Sequence, residues 1–186
     1  MATISPIFTQ EKFSSETESV LEEIKTTMNA PFTPNFFRVW GNAPESLAGI
    51  WQVMKNVLMS GKLPRKLKET ILVAVSTYGE SNYCVSAHSA ILKMLGVTNE
   101  EIAEIKQSLS SPSSPQEKAA LDFTVRIAKD SNCLQDKDYE ELKGHGYSEE
   151  EIMELIAMSG MAVFYGLLAN ATKINVDEGF EQVLSQ

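Results

Sequence analysis

Helix start and stop signals recur along this chain with little else between them, and they constrain its fold more than any other feature. Glu151 follows Ser148 by three residues, the reciprocal pattern of a capping box, and Tyr147 and Ile152 are placed as its hydrophobic staple. Thr98 and Glu101 repeat the pattern, with Val97 and Ile102 as the staple. Ser114, Pro115 and Glu117 combine a cap, a first-turn proline and a further box. Gly61, Gly96 and Gly144 each follow a periodic segment, where a helix stops. Together these predict helices near 16–28, 34–40, 44–60, 64–79, 82–95, 98–109, 115–130, 136–143, 148–172 and 176–184. The run I-L-V-A-V at 71–75 would also suit a short buried strand. However, Leu67, Ile71, Ala74, Val75 and Tyr78 recur at helical spacing, and no Asn-Gly or Asp-Gly hairpin signal occurs. The predicted fold class is therefore all-α, a helical bundle.

The chain has 186 residues, the length of one domain. Two helical halves are expected within it, about 30–110 and about 114–186, joined by the exposed S-L-S-S-P-S-S patch at 108–114. With 43% hydrophobic and 22% charged residues, it can bury a core. A net charge of −9 without a basic stretch argues against nucleic acid and anionic membrane as partners. Residues 1–10 have neither a basic start nor an apolar run, so no signal peptide is readable there. The apolar stretch 155–171 is interrupted by Ser159, Gly160, Gly166 and Asn170 and is read as a buried helix, not a membrane span. Two cysteines are too few for a disulfide framework, and the expected compartment is a reducing cytoplasm.

The chemistry is concentrated at 69–95. Cys84 and His88 are four apart on a predicted helix, so they share a face one turn apart. Cys84 is also in the first turn, where the helix dipole and a nearby imidazolium both favour a thiolate. A reactive thiol with a proton-transfer partner follows as a hypothesis. Glu69 opens the preceding apolar helix, where a carboxylate needs a partner or a raised pKa. Helix packing across the short turn at 79–81 does not by itself place it beside Cys84. Ser81 stands three residues before Cys84 and is read as an N-cap accepting from the Cys84 N–H, worth ~1 kcal/mol; the other reading has its hydroxyl donating to the thiolate. Tyr83 is read as pocket wall, Cys133 as a free buried cysteine and His145 as a surface turn residue. With two histidines and no clustered Cys/His spacing, no structural zinc site is expected. There is no glycine-rich phosphate loop or dinucleotide fingerprint, so no cofactor is expected either.

The segment P-R-K-L-K-E-T-I-L-V-A-V-S-T-Y-G-E-S-N-Y-C-V-S-A-H-S-A-I-L resembles the core motif of the carboxymuconolactone decarboxylase and alkylhydroperoxidase D superfamily. In the peroxidase branch, a Glu is followed twelve residues later by C-x-x-C and then by a His four after the second Cys. Glu69, Ser81, Cys84 and His88 have that spacing. Pro34, Asn35, Phe36, Phe37, Arg38 and Pro44 resemble the family's lead-in, and 117–128, 146–148 and the helix through Asn170 its second half.

The resemblance implies an alkylhydroperoxidase D-like helical bundle in which Cys84 meets a small hydroperoxide and Glu69 and His88 relay protons. Ser81 replaces the first cysteine, so the branch's usual disulfide cannot form within the motif. Tyr83 stands at a relay-histidine position, a choice familiar from the peroxidase-related subgroup. One implied mechanism is a one-cysteine peroxidase, in which Cys84 becomes a sulfenic acid and an external thiol or redox protein resolves it. The alternatives are decarboxylase-like chemistry on a small carboxylated substrate, or a non-enzymatic redox-sensing or binding protein. The family also implies a homo-oligomer, whether dimer, trimer or hexamer. For the small-residue stripe Ser159, Ala162, Gly166 and Asn170, packing within the chain and an oligomer interface both remain open.

Overall fold

The computed structural model describes residues 12–110 and 114–186. Residues 1–10, where no signal peptide is readable, and the middle of the 108–114 patch lie outside them. The described residues form ten α-helices: α1 (Ser15–Thr27), α2 (Asn35–Arg38), α3 (Pro44–Val53), α4 (Arg65–Tyr78), α5 (Asn82–Met94), α6 (Asn99–Ser108), α7 (Pro115–Lys129), α8 (Asp136–Gly144), α9 (Glu149–Thr172) and α10 (Glu178–Ser185). No strand occurs among them, and the 71–75 run lies inside α4. The chain is all-α.

Local chemistry sets most of the helix ends. The Thr98–Glu101 and Ser148–Glu151 boxes are both formed, and the Ser114 hydroxyl accepts from the Glu117 N–H at 3.1 Å. Another box, Gln135 with Asp138, opens α8. The segment predicted as one helix over 44–60 divides instead. After α3 it widens into a π-helical turn, Met54–Leu58. Carbonyls left open beyond that turn need donors. Lys68 of α4 provides them: its Nζ, almost fully buried, donates to the Val57 carbonyl at 2.8 Å and to the Ser60 carbonyl. Glu154 balances the charge at 3.1 Å and accepts from the Lys62 and Leu63 N–H groups. This clamp fixes Met54 and Leu58, both of which face the site described below.

α4 is the axis of the bundle. Its residues from Leu67 to Ser76 are all buried, and it packs against α5, α7 and α9. α9 is long and apolar enough, by length and composition, to cross a membrane, and half of its most apolar window is buried inside the bundle. Its burial is one-sided, unlike the buried helix expected. The small residues Ser159, Ala162 and Gly166 face inward, and the Ser159 hydroxyl donates to the Thr124 carbonyl at 2.8 Å. A Cβ on Gly166 would stand 3.5 Å from that of Ser81, so the absence of a side chain lets α9 lie against the start of α5. These three residues of the stripe thus pack within the chain, whereas Asn170 is exposed, its amide donating to the Gly79 carbonyl at 3.3 Å. Met153, Val163, Phe164 and Leu167 are exposed on the other side.

Candidate active site

The site is built where α4 and α5 lie side by side. Glu69, in the first turns of α4, is completely buried. Its Oε2 accepts from Nδ1 of His88 at 2.7 Å, and its Oε1 accepts from Nε of Arg65 at 2.6 Å. Burial by itself would push this carboxyl up. The charges and hydrogen bonds of His88 and Arg65 outweigh it and hold the carboxyl below the ordinary range. An ionised Glu69 requires the proton on Nδ1, so Nε2 is left as the nitrogen free to exchange protons.

Cys84 is one turn before His88 on α5. Both line one cavity of about 40 Å³, together with Phe36, Phe37, Tyr83 and Tyr165. The walls are otherwise mostly apolar, with Arg65 among them, and the space holds a few water-sized groups. No hydrogen bond joins the thiol to His88. Glu69 is brought to His88, and no hydrogen bond joins it to Cys84.

The thiol differs from the expectation of a depressed pKa. Cys84 is 4% exposed, and burial pushes the thiol up, against a smaller downward pull from the Ser81 and Ser76 hydroxyls. Desolvation of a thiolate in an apolar cavity outweighs the first-turn dipole. Ser81 is the N-cap residue of α5, but its side chain makes no capping bond. Its hydroxyl and that of Ser76 are buried without a hydrogen-bond partner in regular geometry, and both act on the thiol. The expected cap is absent because the Ser81 side chain turns inward, toward Cys84 and Gly166. Ser76 carries no sequence signal of its own; it reaches the thiol because α4 and α5 are antiparallel across a tight turn.

Tyr83 forms cavity wall and does more. Its hydroxyl donates to Asp177 Oδ2 at 2.7 Å and accepts from the Phe36 N–H at 3.2 Å. Burial, then the neighbouring Asp177 charge, push its pKa well above the usual range, and its hydroxyl props Asp177 against the Phe36 backbone as a strut. Asp177 also accepts from the Asn35 N–H at 3.0 Å. Burial raises its carboxyl despite these donors. No motif marks Asp177, yet it ties the start of α10 to the cavity wall. Cys133 lies away from the site. It is exposed and free, against the expectation of burial, and the Arg126 Nη2 lies 4.0 Å from its sulfur. His145 caps the end of α8.

Residues 44–126 match the carboxymuconolactone decarboxylase family. No curated protein matches the chain. Among solved structures, a peroxidase-related protein from Ralstonia eutropha with an alkylhydroperoxidase AhpD core is 23% identical, with a TM-score of 0.82, over 90% of this chain and 88% of that one. A peroxidase-related protein from a Silicibacter species is 20% identical, with a TM-score of 0.83, over 96% and 93%. The debrominase Bmp8, as a cysteine-to-alanine variant in complex with 2,3,4-tribromopyrrole, is 21% identical, with a TM-score of 0.78, over 100% and 97%. At these identities the likeness is one of fold.

Proposed function

We propose that the chain is a one-cysteine thiol peroxidase of the carboxymuconolactone decarboxylase and alkylhydroperoxidase D-like kind, a reading supported by the family match over residues 44–126 and by the shared fold. The observation that carries this reading is the shared cavity. Cys84 and His88 face the same small apolar space, and the histidine is oriented from behind by a buried carboxylate. In this mechanism Nε2 of His88 takes the thiol proton as the hydroperoxide enters. The thiolate attacks the terminal oxygen and the O–O bond breaks. His88 returns the proton to the departing alkoxide, giving an alcohol and a Cys84 sulfenic acid. An external thiol condenses with the sulfenic acid, releasing water and leaving a mixed disulfide. A second thiol then restores Cys84 and carries away an external disulfide. Ser81 cannot take part in that exchange, and Cys133 is remote.

The fold shared with a debrominase makes reductive dehalogenation the nearest competing chemistry. Mass spectrometry of the intact protein after one equivalent of hydrogen peroxide tests the proposal. The expected product carries one oxygen on Cys84, is trapped by dimedone and is reversed by added thiol. Oxidation only at the exposed Cys133 would refute it.

A further inference from the structure

The cavity does not end at Cys84. Met28, Pro34, Arg65, Ile91 and Phe180 line both it and a much larger groove of about 960 Å³ between the 29–38 segment and α10. Any substrate too large for the inner space must pass these residues and leave its body in the groove. Much of the groove wall is apolar. Phe32 and Phe180 meet edge to face at 5.4 Å, and Met59, Met94 and Val183 continue the surface. Two guanidinium groups interrupt it. Arg65 engages Glu69 through Nε alone, and its side chain is 36% exposed. The Arg38 guanidinium influences Asp177 only through space and makes no hydrogen bond among the described residues. The acidic residues on the groove are Asp177, whose oxygens are held by Tyr83 and the Asn35 N–H, and Glu178 at the start of α10. Two cations with unused N–H donors, set in an apolar groove of a chain with net charge −9, suit an organic anion.

We propose that the groove holds the body of an amphipathic carboxylate, with its anionic group met by Arg38 and Arg65 and its reactive end in the cavity beside Cys84. Under the peroxidase reading, on which this rests, the substrate class is an organic hydroperoxide that carries a carboxylate, such as a fatty-acid hydroperoxide. Hydrogen peroxide would fit the inner space but would gain nothing from the groove.

The test separates binding from turnover. The full chain is titrated calorimetrically with decanoate and with methyl decanoate, which share the apolar chain and differ in charge. Decanoate is expected to bind about tenfold tighter or more, the size of a charge-assisted hydrogen bond, and to shield Cys84 from iodoacetamide. Arg38→Gln should bring the ratio of the two affinities toward one. In the unmodified protein, raised salt should shrink the same ratio, a check that does not depend on the variant folding. Equal affinities, a ratio that survives both changes, or binding that leaves Cys84 unshielded would overturn the proposal. Failure of any hydroperoxide to oxidise Cys84 would instead sink the peroxidase reading, while the titration would still decide the groove's ligand.

Discussion

The fully buried Glu69 carboxylate bridges Arg65 and His88, with Oε2 at 2.7 Å from Nδ1 of the ring and Oε1 at 2.6 Å from the guanidinium Nε. The contact fixes which ring nitrogen can accept a proton from the thiol side. Glu69→Gln keeps the volume and removes the acceptor charge. We expect the rate of Cys84 oxidation by peroxide to fall about 10²–10⁴-fold, the range associated with a positioned proton-transfer group. Stopped-flow measurement of sulfenic acid formation checks this; an unchanged rate would remove Glu69 from the mechanism.

The same contact predicts an acid-sensitive fold. The folded-state carboxyl is held below its ordinary range, so its stabilisation is fully present at neutral pH. It begins to fade near the unfolded value, roughly pH 4, and is gone once the pH drops below the folded value. Chemical denaturation at a series of pH values should show stability falling with pH in that window, and Glu69→Gln should flatten the fall. Breaking the buried cluster should also cost on the order of 3 kcal/mol at neutral pH.

The Cys84 thiol titrates high because it is desolvated, and two serine hydroxyls moderate the effect. Its alkylation by iodoacetamide should therefore follow pH with a midpoint above that of cysteine in a small peptide. Ser76→Ala and Ser81→Ala should each move the midpoint higher still. A midpoint at or below the peptide value, or no response to either substitution, would contradict this account.

Ser81 turns toward Cys84 and has Gly166 behind it, with the serine Oγ 3.9 Å from where a Cβ on that glycine would lie. A sulfur atom in place of the hydroxyl can be accommodated next to the bare glycine. Ser81→Cys should thus form an internal disulfide with Cys84 on exposure to peroxide, seen as loss of two hydrogens, and gain dithiol-dependent turnover. A variant that oxidises only to sulfenic acid would show that the two side chains do not converge.

Tyr83→Phe removes the donor to Asp177 and the acceptor of the Phe36 N–H together. Leaving the Phe36 N–H unpaired and Asp177 with the Asn35 N–H but without the tyrosine donor should cost about 1–3 kcal/mol. Hydrogen exchange should show the loss concentrated in α10, whose first residue follows Asp177. Uniform destabilisation without local opening would argue against its role as a strut.

Ten helices could be anticipated because their ends are set by neighbours in sequence. The boxes at Thr98 and Ser148 use residues three apart, and such contacts survive any arrangement of the bundle. The shared face of Cys84 and His88 was legible for the same reason, since one helical turn fixes it. The resemblance to the family motif implied a relay role for Glu69, but its direct partner came from packing. What lay outside the sequence depended on distant segments. Asp177 reaches Tyr83 across 94 residues, Lys68 props a π-turn that a 3.6-residue period cannot reveal, and Ser76 meets the thiol only after two helices dock. The thiol's pKa is the sharpest case. Helix position alone argued for a thiolate, and burial reversed the direction. Desolvation is set by everything packed around a group, so only the tertiary structure could decide it.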